Sequence, residues 1–261
     1  MNPFCRGIRE DILKIAKASG HGHIPSCFSV VEILCAVYAT IRHDPKDPAW
    51  EGRDIFVLSK GHASLAHYCT LARLGYFDIG RVVSFGAFGS DFGCHADRLK
   101  VPGIEVSTGS LGHGIGIGVG MALAFKIKHS GRRVVTVIGD GEANEGSVWE
   151  ALMVADNLKL DNLTVIYDNN MSHGRGLQIM NPAEKLRAFG CRVDEVDGHS
   201  VKELQDALAA RPETAVHAVV AHTKKGYGCR TMVCDAYAWH RRCPTDEEFT
   251  RLMEELDEET V

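Results

Sequence analysis

Apolar positions along the chain follow two alternating patterns. Ile12, Leu13, Ile15 and Ala16 recur at helical spacing between Arg9 and Ser19, and a second such stretch runs from Ser29 to Tyr38, with Ser29 as a possible N-cap and Glu32 at the third helical position. A loop bearing glycine and histidine separates them. Short, continuous apolar runs read as buried strands at 54–59 (DIFVLS), 134–138 and 163–167, with two more within CRVDEVDG and AVHAVVAHT. Helical stretches lie between them: ASLAHYCTLARLGYF, stopped near Gly75, the glycine-rich STGSLGHGIGIGVGMALAFKIKHSG, and residues 147–158 and 201–210. Gly114, Gly116, Gly118 and Gly120 take alternate positions there. Each glycine disfavours helix by about 1 kcal/mol relative to alanine, so four of them predict close backbone packing or close approach to a ligand. Residues 84–107 read as a long irregular loop, of a kind that is usually functional or disordered.

Strands alternating with helices predict an α/β fold: a doubly wound, mainly parallel sheet flanked by helices. With 261 residues, 45% of them apolar, the chain can bury one large core. Residues 1–261 are therefore expected to form a single domain, with 242–261 an acidic C-terminal helix or tail. A net charge of −5 without a basic stripe argues against nucleic acid or an anionic membrane as partner. No apolar run reaches the roughly 20 residues of a transmembrane helix, and acidic residues stand where a signal peptide would be apolar. A cytoplasmic location is expected. Nine cysteines without a CxxC pair read as mostly reduced, buried thiols. Several of the 13 histidines sit beside glycine in loops, but none has the HxxxH spacing of a zinc site.

Candidate chemistry gathers at two strand ends. Gly139-Asp140-Gly141 and Asp168-Asn169-Asn170 follow strands that should be neighbours, and ligands of such sheets bind outside the carboxyl ends. Oxygen ligands from Asp140 and Asn170 suit Mg²⁺ or Ca²⁺. Mg²⁺ commonly completes its shell with phosphate oxygens and water, which points to a diphosphate-bearing cofactor. The flanking glycines allow a tight turn and let backbone N–H groups approach phosphate. Either triplet alone is an ordinary turn former; the two together are harder to explain that way. A dinucleotide fingerprint fits poorly, because the run 139–144 lacks the third glycine.

The two triplets resemble the thiamine-diphosphate motif, GDG followed further on by NN. More narrowly, nearly the whole chain resembles the N-terminal domain of transketolases, through GHIPSCFSVVEIL, LSKGHAS, STGSLGHG, GDGEANEG, YDNN, KKGYG and WH in the family's order. The resemblance implies a transketolase that uses thiamine diphosphate and Mg²⁺, with Ca²⁺ or Mn²⁺ as substitutes. It implies Asp140, Asn170 and the backbone carbonyl of Ser172 as metal ligands. Gly109, Ser110 and Leu111 would lie along the cofactor, His62 would reach its diphosphate, and Gly139 and Gly141 would approach it through backbone. Ser26 and Lys225 match further cofactor contacts. His23, His95 and His240 match histidines that face the substrate and move protons, work suited to an imidazole. Glu145 matches a glutamate at the dimer interface that links two cofactor sites. His21, His113, His173 and His199 read as packed or solvated residues.

Departures from the family pattern fall at Cys94 and Ala96 around His95, at Arg241 after His240, and at VCDAYA, and they bear on substrate identity. Full-length transketolases carry a further pyrimidine-binding domain, which supplies the glutamate that activates the cofactor, and then a third domain. The expectation is therefore an N-terminal subunit of a split transketolase, working with a separate C-terminal subunit in a heterotetramer of two chains each. It would transfer a two-carbon ketol unit from a ketose to an aldose. A non-catalytic cofactor-binding protein is one alternative, against which His23 and His240 argue. A subunit of another thiamine enzyme, such as a 2-oxoacid dehydrogenase, is another, against which the histidine set argues. Sugar phosphates and modified sugars such as sulfosugars both remain as substrates, with the loop 84–100 and its Arg98 bearing on the choice. Asp140→Ala is expected to leave the fold intact, on the premise that a strand-end carboxylate faces solvent.

Overall fold

Asn2 opens the first helix of the computed structural model, which describes residues 1–174, 176–210 and 212–258. Its side chain accepts the Phe4 N–H at 2.8 Å and Pro3 fills the first turn, so α1 spans Pro3–Ser19 and begins ahead of Arg9. The second expected helix is two, α2 (Ile24–Ser29) and α3 (Val31–Thr40). Ser29 is thus not an N-cap. It ends α2, and its hydroxyl is committed to the buried carboxylate of Asp168.

The remaining elements follow the expected order, with α7 and α9 added where no helix was expected: β1 (Ile55–Leu58), α4 (Ser64–Arg73), α5 (His113–Ile127), β2 (Val134–Gly139), α6 (Gly146–Asn157), β3 (Leu163–Asn169), α7 (Pro182–Ala188), β4 (Arg192–Asp197), α8 (Val201–Ala209), β5 (His217–His222), α9 (Arg230–Cys234) and α10 (Asp246–Asp257). Among the described residues five strands form one sheet in the order β1-β2-β3-β5-β4, and each of these pairings is parallel. Side chains alternate between its two faces. Val135 and Val137 enter a core shared with α1 to α4, α8 and α10, whereas Val134 and Ile138 enter one shared with α5, α6 and α7. The sheet is doubly wound, as expected.

The four alternate glycines of α5 serve different ends. A Cβ at Gly114 would lie 2.5 Å from Ser59 Oγ and one at Gly118 would lie 2.5 Å from Thr136 Oγ1, so both let the helix settle on the sheet. Gly116 and Gly120 face open space. Before α5 the chain runs irregularly from Phe85, yet Phe85, Phe92, Ala96, Val101 and Ile104 are buried and anchor it. That anchoring carries His95 and Gly109 to the carboxyl edge of the sheet.

Of the acidic helix or tail expected at the C-terminus, Asp246–Asp257 is a helix, and one of its faces is packed, not solvated. Thr245 and Glu248 form a capping box, and α10 buries Leu252 and Leu256 against the core that holds α1. Positions 259–261 of the expected segment lie outside the described residues. Among the described residues, no helix is long and apolar enough to cross a membrane. Cys5, Cys27, Cys69, Cys191 and Cys229 are buried, and none of the nine cysteines is in a disulfide.

Arg9 and Glu32 join α1 to α3 within the core, with Nη1 and Nη2 donating to the two carboxylate oxygens at 2.6 and 2.7 Å. Burial opposes the charge on Glu32, but Arg9 and His199 beside it together outweigh burial and hold the carboxyl down to about 2. Glu32→Gln strands the guanidinium and is expected to cost about 3–5 kcal/mol in denaturant titration at neutral pH. Because the folded value lies below the unfolded one, the contribution is complete above the ordinary carboxylate range and fades as pH falls toward about 2. The variant should therefore lack that part of the acid limb of the stability curve.

Candidate active site

The site is built on Asp168, near the end of β3 and fully buried. Its Oδ2 accepts from Lys60 Nζ, from Ser29 Oγ at 2.8 Å and from Asn170 Nδ2 at 3.0 Å, while Oδ1 accepts from Thr223 Oγ1. These donors come from the segments after β1, β3 and β5 and from the end of α2. One carboxylate thus fastens the carboxyl edge of the sheet.

The β2–β3 register pairs Gly139 with Asp168, which sets Asp140 beside the segment leading to Asn170. Asp140 Oδ1 accepts the Gly141 N–H at 2.6 Å, and Oδ2 accepts the Ser172 N–H at 2.7 Å. Asn170 Oδ1 accepts the same Ser172 N–H at 3.0 Å. Two hard oxygens from the two triplets therefore converge on one point. Ser172 meets them through its N–H; participation of its carbonyl stays a proposal. Asp140 is only 1% exposed, which corrects the premise of a solvent-facing carboxylate. Burial first, then Asp168 beside it, raise its pKa. His173 Nδ1 lies 2.9 Å from Asp140 Oδ2 but off the line of a hydrogen bond, and has no hydrogen-bond partner among the described residues.

A cleft of about 340 Å³ opens above this floor, and His23, His62, His95 and His240 share its wall with Gly109 and Leu111. The His23 ring lies 5.3 Å from that of His62 and 5.5 Å from that of His240. Burial, then His240 and Arg241, lower His23 to about 4. Burial and Lys60 hold His62 well below the ordinary imidazole value, and burial and Lys225 lower His240. These imidazoles are neutral at physiological pH. Lys225 is itself lowered to about 8, by burial and then Lys60. Its Nζ donates to Ser172 Oγ at 2.7 Å and to His240 Nδ1 at 2.9 Å. An ammonium only donates, so His240 accepts at Nδ1 and carries its proton on Nε2.

The cleft suits a phosphate-bearing ligand on its own geometry. A Cβ on Gly141 would meet no heavy atom within 4 Å, one on Gly139 would make only ordinary contacts, and neither residue has a left-handed φ. The protein does not need glycine there, but a ligand lying against the backbone does. Gly109 differs, since its φ of +152° strains any side chain and an added Cβ, 3.2 Å from the His95 ring, would press on that ring.

Other expected residues stand around the cleft without forming its lining. Ser26 and Lys225 are buried behind the lining, Ser26 Oγ without a hydrogen-bond partner among the described residues. Ser110 and Glu145 are exposed and do not line the cleft; Glu145 sits at the N-terminus of α6 on the outer surface. Arg98 faces a separate cavity of about 300 Å³ with Arg53 and Lys100. The loop's contribution to the cleft is His95. Sequence reasoning missed Lys60 and Glu142. Buried Glu142 accepts from the Gly112 N–H at 2.9 Å, the Gly139 N–H at 3.1 Å and the Ser59 hydroxyl. The only local signal for Lys60 was a lysine directly after a buried run, in LSKGH.

The family model for the transketolase thiamine diphosphate binding domain matches residues 5–239. The chain belongs to the transketolase family. This transketolase chain is 36% identical to one subunit of the apulose-4-phosphate transketolase of Actinobacillus succinogenes, over 99% of its length and 100% of that protein. It is 37% identical to a 6-deoxy-6-sulfo-D-fructose transketolase subunit of a Clostridium species, over 97% of its length and 94% of the relative. Among solved structures, Campylobacter jejuni transketolase superposes with a TM-score of 0.87 at 28% identity, covering 97% of this chain and 42% of that one. Pichia stipitis transketolase in complex with sedoheptulose-7-phosphate gives 0.88 at 27% identity, covering 97% and 40%. The chain thus spans less than half of these two solved transketolases and nearly all of the relatives named as subunits. As a member of this family it is a thiamine-diphosphate-dependent enzyme.

In an NMR titration of the transketolase chain without ligand, the His23 ring should protonate with a midpoint near 4. Inorganic diphosphate in the cleft should raise that midpoint, because a nearby anion favours imidazolium. An unchanged midpoint at saturating diphosphate would place the anion elsewhere.

Proposed function

We propose that this chain is the N-terminal subunit of a two-chain transketolase, which with a separate C-terminal subunit transfers a two-carbon ketol unit from a ketose to an aldose. The observation that carries this is the cleft itself, where neutral imidazoles face a floor of bare glycine backbone and the converging oxygens of Asp140 and Asn170. Thiamine diphosphate, when bound, supplies an electron sink for the carbanion formed as the sugar's carbon–carbon bond is cleaved. The protein side chains hold it and handle protons. Mg²⁺ would be held by Asp140, Asn170 and the Ser172 carbonyl. A buried carboxylate whose pKa burial has raised is short of positive charge, and its oxygen partners are the hard donors that Mg²⁺ prefers. His62 would bind the diphosphate. His23, His95 and His240 would hydrogen-bond sugar hydroxyls and give or take protons, His23 and His240 as neutral imidazoles; His240 would meet the substrate as a donor through Nε2–H.

The outer face of α5 and α6 supports a subunit contact. Ile117, Met153 and Val154 are 42%, 54% and 48% exposed there, beside Gly116 and Gly120, which face open space. Exposed apolar surface of this kind marks interfaces. With Glu145 at its edge, this face would join copies of the chain in a heterotetramer of two chains of each kind. Relatives named for apulose-4-phosphate and for 6-deoxy-6-sulfo-D-fructose support a sugar substrate with a terminal anionic group, phosphate or sulfonate. Cysteines free of disulfides suit a reducing cytoplasm.

Assays of the purified chain with thiamine diphosphate and Mg²⁺, with and without the C-terminal subunit, test the division of labour. Substantial ketol transfer by the chain alone would sink it. Asp140→Asn should weaken Mg²⁺-dependent cofactor binding by more than the roughly 10–100-fold that losing even an outer-shell partner costs. Asp140→Ala should do the same and, by leaving the Gly141 and Ser172 N–H groups unpaired, also lower stability by about 1–3 kcal/mol. Calorimetry showing unchanged Mg²⁺ dependence in both would overturn the metal assignment.

A further inference from the structure

A second buried polar cluster joins the core to the edge of the cleft. Arg9, paired with Glu32, also donates to Phe28 O and Tyr227 O, each at 2.9 Å. His199, in the turn after β4, extends this pair: Nδ1 lies 3.1 Å from Glu32 Oε2, and Nε2 accepts the Lys224 N–H at 2.8 Å. Its ring lies flat on that of Tyr227, with centroids 3.6 Å apart and planes 10° apart. A backbone N–H can only donate, so Nε2 must be the bare nitrogen, and the ring proton sits on Nδ1 and faces the carboxylate. The next residue is Lys225, whose Nζ reaches Ser172 Oγ and His240 Nδ1.

We propose that His199 is a positioning residue for the cofactor site. By holding the backbone at Lys224 against Glu32 of α3, it fixes where the Lys225 ammonium enters the site and therefore how His240 is held. β4 and β5 are adjacent, with Asp197 paired to His222, so the contact spans two neighbouring strand ends. This rests on the proposed cofactor site.

Two variants test it. H199F keeps an aromatic ring on Tyr227 and loses both hydrogen bonds; H199Q places an amide oxygen near the former Nε2 and keeps the acceptor for Lys224. In the reconstituted two-chain enzyme, H199F should raise the KM and the calorimetric Kd for thiamine diphosphate about fivefold, a single hydrogen bond's worth. kcat should change much less, and H199Q should restore most of the affinity. In the chain alone, the Lys224 amide should exchange faster in H199F than in wild type and recover in H199Q, and the imidazole nitrogen spectrum of wild type should show the Nδ1–H tautomer. Unchanged cofactor affinity in H199F, H199Q as weak as H199F, or an Nε2–H tautomer would each overturn the proposal. Failure of the wild-type enzyme to bind thiamine diphosphate would sink the proposed function instead, while the exchange and tautomer measurements would still decide whether His199 holds the Lys224 turn.

Discussion

A buried carboxylate with too few partners is costly to a fold, and Asp168 meets that constraint by drawing four donors from four separate parts of the chain. Lys60 supplies the compensating charge, while Ser29, Asn170 and Thr223 supply neutral hydrogen bonds. Each donor is held by its role in offsetting this one charge. The ends of β1, β3 and β5 and the end of α2 therefore cannot drift independently. Asp140, beside Asp168 across the β2–β3 pairing, inherits that rigidity, as does Asn170, which gives its amide to Asp168 and leaves its oxygen for the cleft.

The electrostatics of the cleft follow from the same arrangement. Lys60 is neutralised by Asp168, yet it still helps to depress His62 and Lys225. The neutral imidazoles of His23, His62 and His240 can donate at one nitrogen and accept at the other, which imidazolium groups could not do. The remaining ammonium, Lys225, is tied to Ser172 and His240. The cleft thus offers acceptor oxygens on its floor, neutral donors and acceptors on its wall, and positive charge behind them, a layout complementary to a metal–diphosphate unit with a polar substrate above it.

The parts of this layout that depend on local pattern were legible in the sequence. Apolar runs gave the strands, and a parallel sheet puts all their carboxyl ends on one edge, so Asp140 and Asn170 could be paired from pattern alone. The Lys60–Asp168 bond joins residues 108 positions apart and leaves no periodicity to read. His199 looked like an ordinary loop histidine because its significance lies in Glu32 and Lys224, distant in sequence. Arg98 drew attention as a charge in the right loop, but the buried Phe92 and Ala96 deliver His95 to the cleft and leave Arg98 outside. The acidity of α10 hid its two buried leucines, since composition averages over faces that a helix separates.

The glycine-rich entry to α5 connects the cleft with the outer surface. Gly112 takes a φ of +78°, gives its N–H to Glu142 under the cleft and accepts Ser147 Oγ of α6 at 3.0 Å; an added Cβ would meet Glu145 at 2.7 Å. Leu111, one residue earlier, lines the cleft, and Gly116 and Gly120, one and two turns later, lie on the exposed face. Four residues apart on a helix is one face, which explains why Gly114 and Gly118 pack inward while Gly116 and Gly120 do not. A second protein chain seated on α5 and α6 would press on the same turn that shapes the wall of the cleft. Glu145 stands beside that turn at the start of α6, on the outer surface and outside the cleft.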